Sequence, residues 1–240
     1  MTPGTARYDG HAEWYDRTFS ALVNEEEESF IREGLGPGGG EICLDVACGT
    51  GRYGRVLADA GYRVVGLDIS ADQVRLARRR VGAVMRADAR FLPLRDAAVG
   101  VAVGMFFHTD VEDFAAVVRD VARCLRPGGR FVYLGTHPCF VGPFVYRMTE
   151  PEDLTLRFVT GYGRTGWADR GSGDGSMIGG RVGFHHKTLA SFLGAFAQAG
   201  LSIRAAREFS AGGHAVLPWD IAVVSEKHAS PRDARPGSRR

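Results

Sequence analysis

An aspartate followed at once by a glycine-rich turn is the feature that most constrains this chain. Residues 41–54 begin with an apolar run typical of a buried strand, which reaches Asp45 and leads into the turn. Gly49, Gly51 and Gly54 have the spacing Gly-x-Gly-x-x-Gly, typical of a strand, a tight turn and a helix that bind a dinucleotide. Because the negative charge of Asp45 would repel a pyrophosphate at the N-terminus of that helix, the pattern favours a cationic nucleoside without phosphate. S-adenosylmethionine (SAM) has this chemistry.

Composition predicts a soluble domain that acts on small molecules. The chain has 240 residues, of which 45% are hydrophobic and 24% charged, as in an ordinary globular domain. A net charge of +2 without a basic stripe predicts neither nucleic acid nor a membrane as partner. The four cysteines form no Cys-x-x-Cys pair, and the chain shows neither a spanning apolar stretch nor a secretory signal. We therefore expect a cytoplasmic monomer or homodimer.

Strand and helix patterns alternate along most of the chain, which predicts an α/β fold. We expect a Rossmann-like, doubly wound, mostly parallel seven-stranded sheet with an antiparallel last strand, in one domain over residues 1–227. Residues 137–186 are predicted to form a lid inserted after the fifth strand, and residues 228–240 a disordered tail. Helices are predicted over 11–32, 52–60, 71–80, 111–125 and 188–199, and strands over 42–46, 63–67, 83–86, 99–107, 130–135, 201–208 and 216–224. The acidic run within the first helix, 25–28, is interpreted as a solvated face.

Two further acids end the next two predicted strands. Asp68 is placed to accept hydrogen bonds from ribose hydroxyls, with Ile69 against the adenine face, and Asp88 to accept the adenine amino proton, with the Ala89 N–H donating to a ring nitrogen. Each acid also has a structural interpretation, since Asp68 could cap the helix that begins near residue 71 and Asp88 could stabilise a turn. Three acids at three consecutive strand ends together favour a SAM site.

Other residues near the same predicted edge complete the candidate cofactor site. Ala47, Gly49 and Gly51 belong to the turn after the first strand, where the backbone can approach a ligand closely. Met105 and Phe106 end the fourth strand and could cover the base or the sulfonium.

At this point the sequence resembles the class I SAM-dependent methyltransferases, and more closely the small-molecule branch (methyltransferase type 11) that includes the quinone-biosynthesis enzymes. The resemblance covers about residues 8–135: residues 44–51 look like the first family motif, and residues 125–132 look like the turn from a helix into the fifth strand. It implies SAM as cofactor, Asp68 as the ribose acid and Asp88 as the adenine-reading acid. Tyr15-Asp16 matches a Tyr-Asp pair that this family has before its first strand, and the match implies that Tyr15 covers the methionine end of the cofactor.

His108, after the fourth predicted strand, is the candidate catalytic base. That position points toward the methyl group in this fold, and histidine titrates near neutrality. The alternative is that the His-Thr-Asp turn caps the helix predicted at Val111, with Asp110 as the capping residue.

The predicted lid is rich in glycine and aromatic residues and is expected to determine substrate specificity. Candidate substrate-binding residues are His137, Tyr146, Tyr162 and Trp167. The adjacent His185-His186 pair lacks an acid at ligand spacing, and we predict no metal.

The sequence leaves several functions open. The first is methyl transfer to an N, O or C nucleophile of a small molecule. A protein of this kind could instead use SAM for another displacement, such as cyclisation of its own aminobutyl chain. An NAD(P)-dependent oxidoreductase is supported only by the glycine spacing, and a SAM-binding regulatory module would not need the long aromatic lid.

Overall fold

A computed structural model describes residues 6–19, 24–149, 155–159, 161–168, 179–210 and 218–228. The strands, in chain order, are β1 (Ile42–Val46), β2 (Arg63–Asp68), β3 (Ala83–Arg86), β4 (Val99–Met105), β5 (Leu125–Thr136), β6 (Val145–Thr149), β7 (Thr155–Val159), β8 (Gly166–Ala168), β9 (Phe184–His186), β10 (Leu201–Phe209) and β11 (Asp220–Lys227). The helices are α1 (Ala12–Phe19), α2 (Glu25–Leu35), α3 (Gly54–Asp59), α4 (Ala71–Ala77), α5 (Phe114–Cys124), α6 (Gly179–Val182) and α7 (Leu189–Gln198).

Seven strands form the central sheet, in the order β10-β11-β5-β4-β1-β2-β3. Strands β1 to β5 pair in parallel, whereas β11 is antiparallel to both of its neighbours, β5 and β10. The predicted Rossmann-like sheet with an antiparallel last strand is therefore confirmed. Because the first strands are parallel, the residues that follow β1, β2 and β4 meet at one edge of the sheet.

The alternation of side chains along β1 gives the sheet two buried faces. Leu44 and Val46 pack in one core cluster with Val118 of α5, and Cys43 packs in a second cluster with Leu57 of α3. Helices cover both faces for this reason, as expected for parallel strands that are hydrophobic on both sides.

The helix predicted over 11–32 is two helices. Asn24 caps α2, because its side chain accepts a hydrogen bond from the Glu26 N–H (2.9 Å). The acidic run 25–28 forms the first turn of α2, where negative charge favours the helix dipole, and within it Glu27 is buried rather than solvated. Residues 20–23 lie outside the described part.

Two other boundaries differ from prediction. Helix α5 begins at Phe114 and is capped by Asp113, whose side chain accepts from the Ala116 N–H (2.8 Å), so Asp110 does not cap it. Strand β5 begins at Leu125 instead of residue 130, because Leu125 already pairs with Val99 ahead of a register shift.

Between β5 and α7 the chain forms small elements outside the main sheet. Strands β6 and β7 pair with each other, as do β8 and β9. The lid role of this segment stays a prediction, as does the single domain over 1–227; most of the predicted tail, residues 229–240, lies outside the described residues. No helix in the described ranges has the length and apolar character needed to cross a bilayer.

Candidate functional site

The turn after β1 bends through backbone conformations that favour glycine. Gly49 has a φ of 56° and Gly51 a φ of 75°. The turn is closed by a hydrogen bond from the Gly51 N–H to the Cys48 carbonyl (2.9 Å). A Cβ on Gly49 would meet only the Gln73 side chain at 3.7 Å, whereas a Cβ on Gly51 would lie 2.9 Å from Val81. The two predicted glycines therefore differ: Gly49 opens toward the site, and Gly51 lets the turn pack against the segment after α4.

Asp68, at the end of β2, is held by two backbone donors. Its Oδ2 accepts from the Gly49 N–H (2.9 Å) and its Oδ1 from the Ser70 N–H (2.9 Å). Helix α4 is instead capped by Ser70, whose hydroxyl accepts from the Gln73 N–H (3.2 Å). The alternative in which Asp68 is the helix cap is therefore wrong, and the carboxylate joins the end of β2 to the glycine turn.

Asp45 is buried beside Asp68, and one of its carboxylate oxygens lacks a hydrogen-bond partner among the described residues. It is 2% exposed, and within the described ranges its Oδ2 has no hydrogen-bond partner. Burial, with a contribution from the nearby Asp68, raises the pKa of Asp45 to about 7, and burial raises the pKa of Asp68 to about 6. A bound cation would relieve both effects by stabilising the ionised carboxylates.

Asp88 follows β3 and forms an ion pair that also closes its turn. Its carboxylate contacts the Arg90 guanidinium (2.6 Å between Oδ2 and Nη2) and accepts from the Arg90 N–H (2.9 Å). The Arg90 guanidinium holds the pKa of Asp88 below its usual range, so this acid is ionised at neutral pH. The turn interpretation of Asp88 is correct, and Asp88 also borders the site.

A cavity of about 550 Å³ lies at the edge where these strands end. We call Asp45, Asp68 and Asp88 the cradle. Most of the predicted cofactor residues line the cavity: Tyr15, Asp45, Ala47, Gly49, Asp68, Ile69, Asp88, Ala89, Met105 and Phe106.

Residues distant in sequence close the cavity on the other side, and we call Arg7, Tyr8, Tyr15 and Trp167 the cover. The Arg7 guanidinium stacks on the Trp167 ring at 3.4 Å from its centroid and donates to the Val182 carbonyl (2.8 Å). Tyr8 and Tyr15 pack edge to face, with ring centroids 5.3 Å apart. The cover thus joins the N-terminal segment to the predicted lid.

His108 does not line this cavity. It is 2% exposed; its Nδ1 lies 2.9 Å from the Tyr133 hydroxyl, and its ring packs 5.2 Å from that of Phe192. Burial, with the nearby positive charge of Lys187, holds the pKa of His108 well below its ordinary value. The expectation that His108 acts as the base on the acceptor has no support in this geometry, because the ring is turned into the aromatic core.

Of the predicted substrate-binding residues, one lines the cavity and two contact other parts of the fold. Trp167 lines the cavity, whereas His137 is 1% exposed and contacts Glu208 (2.7 Å, Nε2 to Oε1). The Tyr162 hydroxyl accepts from the Leu189 N–H (2.6 Å), which joins the predicted lid to α7. His137 and Tyr162 therefore attach the insertion to β10 and α7. The side chain of Tyr146 lies outside the described part.

Sequence reasoning missed several lining residues. They are spread over the N-terminal segment, the turn after β1, α4 and the loop after β4: Ala6, Arg7, Tyr8, Arg52, Tyr53, Gln73, Asp110 and Glu112. Asp110 had a usable signal, because it follows β4 as Asp88 follows β3. Tyr8-Asp9 repeats the Tyr-Asp pair that singled out Tyr15-Asp16.

The balance of charge in the cavity suits a cation better than a diphosphate. Carboxylates outnumber guanidiniums among the lining residues. The Arg7 guanidinium stacks on Trp167, and the Arg90 guanidinium pairs with Asp88. A pyrophosphate would face the buried charges of Asp45 and Asp68 without compensation. The residues present therefore fit a cationic nucleoside.

The described residues contain no group of His, Cys, Asp and Glu side chains arranged to hold a metal ion. The adjacent histidines have other partners. His185 Nδ1 lies 2.8 Å from the Lys187 ammonium, and His186 Nε2 lies 2.7 Å from the Tyr162 carbonyl.

Comparison with known proteins gives consistent results. Residues 44–133 match a family model described as a methyltransferase domain. A demethylmenaquinone methyltransferase of Tropheryma whipplei (strain Twist) is 35% identical over 157 residues, which are 62% of this chain and 63% of that protein. An O-methyltransferase of Penicillium expansum is 36% identical over 128 residues, 48% of this chain and 46% of that protein. The chain thus spans less than two thirds of the length of these curated relatives.

A solved structure extends the similarity to nearly the whole fold. The S-adenosylmethionine-dependent methyltransferase from Mesorhizobium loti superposes with a TM-score of 0.69 at 24% identity, covering 91% of this chain and 99% of the other. At this identity the match shows the fold alone.

Proposed function

We propose that this chain is a class I SAM-dependent methyltransferase and that it transfers the methyl group of SAM to an N, O or C atom of a small-molecule acceptor. The observation that carries the proposal is the cradle: three carboxylates at neighbouring strand ends border one cavity, and Asp45 Oδ2 has no partner within the described residues. The proposal covers a cytoplasmic enzyme, a monomer or homodimer, with no nucleic-acid or membrane partner.

The cradle supports a specific assignment for the nucleoside. In the proposed complex Asp68 accepts the ribose hydroxyls, which its carboxylate can do beside the two backbone donors that orient it. Ile69, which is 47% exposed at the cavity, packs on adenine, and Asp88 with the Ala89 N–H reads its edge. Met105 and Phe106 cover the opposite side.

The amino-acid end of SAM is assigned by charge. Asp45 is proposed to bind the ammonium directly or through water, since a cation stabilises its ionised form. Arg52 is proposed to bind the carboxylate: its guanidinium lines the cavity, stacks 4.8 Å from the Tyr53 ring centroid and donates to the Tyr53 hydroxyl (3.1 Å). Tyr15 packs over this end.

Bound SAM supplies a methyl carbon activated by a positively charged sulfur. The protein then needs to align the acceptor with that carbon and exclude water, without a covalent enzyme intermediate. The aromatic rings of the cover exclude water and can stabilise the sulfonium by cation–π contact. Charge disperses during the transfer, so an apolar wall favours the transition state.

Calorimetry with SAM, S-adenosylhomocysteine (SAH) and NADH tests the ligand. We expect micromolar binding of the first two and none of NADH; the reverse would refute the proposal. Analysis of the nucleoside product then separates the activities: SAH with a methylated acceptor indicates methyl transfer, whereas methylthioadenosine would indicate cyclisation of SAM.

A further inference from the structure

The turn after β4 sends two titratable side chains in opposite directions. His108 is turned into the aromatic core, against Tyr133 and Phe192, whereas Asp110 lines the cavity. Asp113, and not Asp110, caps α5. Asp110 therefore has no structural role as a helix cap and faces the space where a ligand binds.

Tyr8 reaches Asp110 from the N-terminal segment. Its hydroxyl donates to Asp110 Oδ2 (3.2 Å), and both side chains line the cavity. Burial and the adjacent Asp110 raise the pKa of Tyr8 well above its ordinary value, so the phenol stays a donor. Among the residues described, no group donates a hydrogen bond to Asp110 Oδ1, which leaves one carboxylate oxygen for a ligand.

The surroundings of Asp110 suit a base that works near neutral pH. The charged and titratable groups near it are Tyr8, Tyr15 and Arg7 of the cover, Asp68 of the cradle, Tyr133 of β5, the adjacent Glu112, and Lys187. Burial, as the largest effect, raises the pKa of Asp110 to about 7.

The Lys187 ammonium forms hydrogen bonds with the backbone of this turn. Its ammonium donates to the carbonyls of His108 (2.8 Å) and Val111 (2.5 Å) and contacts His185 Nδ1 (2.8 Å). These contacts hold the backbone on both sides of Asp110, so the side chain projects into the cavity from a rigid loop.

We propose that Asp110, positioned by Tyr8, accepts the proton that an N–H or O–H group of the acceptor loses when that group is methylated. The inference rests on the proposed function. In the transfer the acceptor N or O lone pair forms the bond to the methyl carbon, the carbon–sulfur bond breaks, and its electron pair stays on sulfur as the neutral thioether. The proton of the N–H or O–H passes to Asp110, which later releases it to water.

The acceptor class is tested with SAM labelled with ¹³C in the methyl group. The full chain is incubated with a small-molecule extract of its source organism, labelled products are found by mass, and the labelled position is assigned by NMR. We expect an N-methyl or O-methyl carbon. A methyl group on carbon overturns the inference and leaves the proposed function in place, whereas SAM binding without any labelled product overturns both.

The role of Asp110 is tested with the acceptor so identified. In Asp110→Asn we expect kcat to fall about 100-fold or more, as for loss of a general base, while SAH affinity by calorimetry changes less than about threefold. Retention of kcat within about threefold, or a parallel loss of SAH affinity, overturns the inference.

Tyr8→Phe tests whether Tyr8 adjusts the pKa of Asp110, because a purely structural role would leave the pH profile of kcat/KM unchanged. Because the Tyr8 hydrogen bond lowers the pKa of Asp110, its removal should shift the acidic limb of the kcat/KM profile to higher pH. The matched control is Tyr62→Phe, which removes a tyrosine hydroxyl bonded to the Leu35 carbonyl (2.8 Å) away from the cavity and should leave that limb in place. An unshifted limb in Tyr8→Phe contradicts the assignment of Tyr8.

Discussion

The cradle and the cover are two walls of one cavity, and different kinds of contact build them. In the cradle, Asp68 is oriented by backbone N–H groups of Gly49 and Ser70, which belong to the sheet edge itself. In the cover, Arg7 and Trp167 meet through side chains from segments that are far apart in sequence. Contacts of the first kind predict a preformed nucleoside site, and contacts of the second kind predict a wall that can open to admit ligands.

Asp68→Ala should have the largest effect on ligand affinity. The change removes a carboxylate that accepts two backbone N–H groups and, in the proposed complex, the ribose hydroxyls, so we expect SAH binding to weaken by about 2–3 kcal/mol. Calorimetry measures it. Asp59→Ala, which removes an exposed acid of α3 away from the cavity, is the control and should bind SAH normally. Unchanged affinity in Asp68→Ala would place the ribose elsewhere.

Asp45→Asn should weaken ligand binding and stabilise the ligand-free protein. Because the pKa of Asp45 in the folded state, about 7, lies above that of the unfolded chain, ionisation destabilises the fold as pH rises from about 4 to about 7. Asn removes this penalty, so at pH 8 we expect a gain of roughly 1–3 kcal/mol in the free energy of unfolding and a loss of about 1–2 kcal/mol in SAH binding. Urea titration and calorimetry measure the two effects.

A variant that lost both stability and affinity would show that Asp45 is a packing residue. At pH 4 the folded protein has a neutral side chain at position 45 in both variants, because Asp45 is then protonated. The gain in the free energy of unfolding from Asp45→Asn should therefore largely disappear at that pH.

Affinity for SAM should fall as pH decreases through the range in which the cradle acids titrate. In the proposed complex the ionised carboxylates bind the cation, and the pKa values of Asp45 and Asp68 are about 7 and about 6, so we expect binding below pH 7 to release protons. We expect about a tenfold loss between pH 7 and pH 6 and a steeper loss below pH 6. Calorimetry in buffers of different ionisation enthalpy counts the released protons; constant affinity from pH 7 to pH 5 would contradict the cradle.

Arg7→Ala tests the cover and should have the smallest effect. Loss of the stacking on Trp167 and of the bond to the Val182 carbonyl should weaken SAH binding by about 0.5–1 kcal/mol, through faster dissociation. Stopped-flow tryptophan fluorescence follows the release. Arg181→Ala is the matched control. It removes a similar stacking of Arg181 on Trp14 (4.3 Å), and neither Arg181 nor Trp14 lines the cavity. Equal rates in both variants would mean that Arg7 does not gate the site.

Local patterns predicted that the three cradle acids would lie at one edge of the sheet, where they border the cavity. An apolar run that ends in an acid and a glycine turn produces the same geometry in any parallel sheet, so Asp45, Gly49, Asp68 and Asp88 could be brought together from the sequence. The same reasoning did not predict that a Cβ on Gly51 would lie 2.9 Å from Val81, because this close approach has no signature in the sequence.

His108 and Asp110 show the limit of prediction most clearly. His108 and Asp110 are the third and fifth residues after β4, and the pKa of free histidine made His108 the better base on sequence grounds. Burial reverses this order, because desolvation holds the pKa of His108 down and raises that of Asp110. The direction of each side chain depends on Tyr133, Phe192 and Tyr8, which lie far away in the chain.

The amino-acid sequence by itself determined the alternation of strands and helices, the parallel sheet and the acid-and-glycine edge, because backbone periodicity and turn chemistry act over a few residues. The tertiary structure alone decided which side chains the N-terminal segment and the insertion bring to the cavity, and which buried acids keep a proton near neutral pH. Packing between distant segments and the loss of water around a charge have no local pattern, and they appear only when the chain is folded.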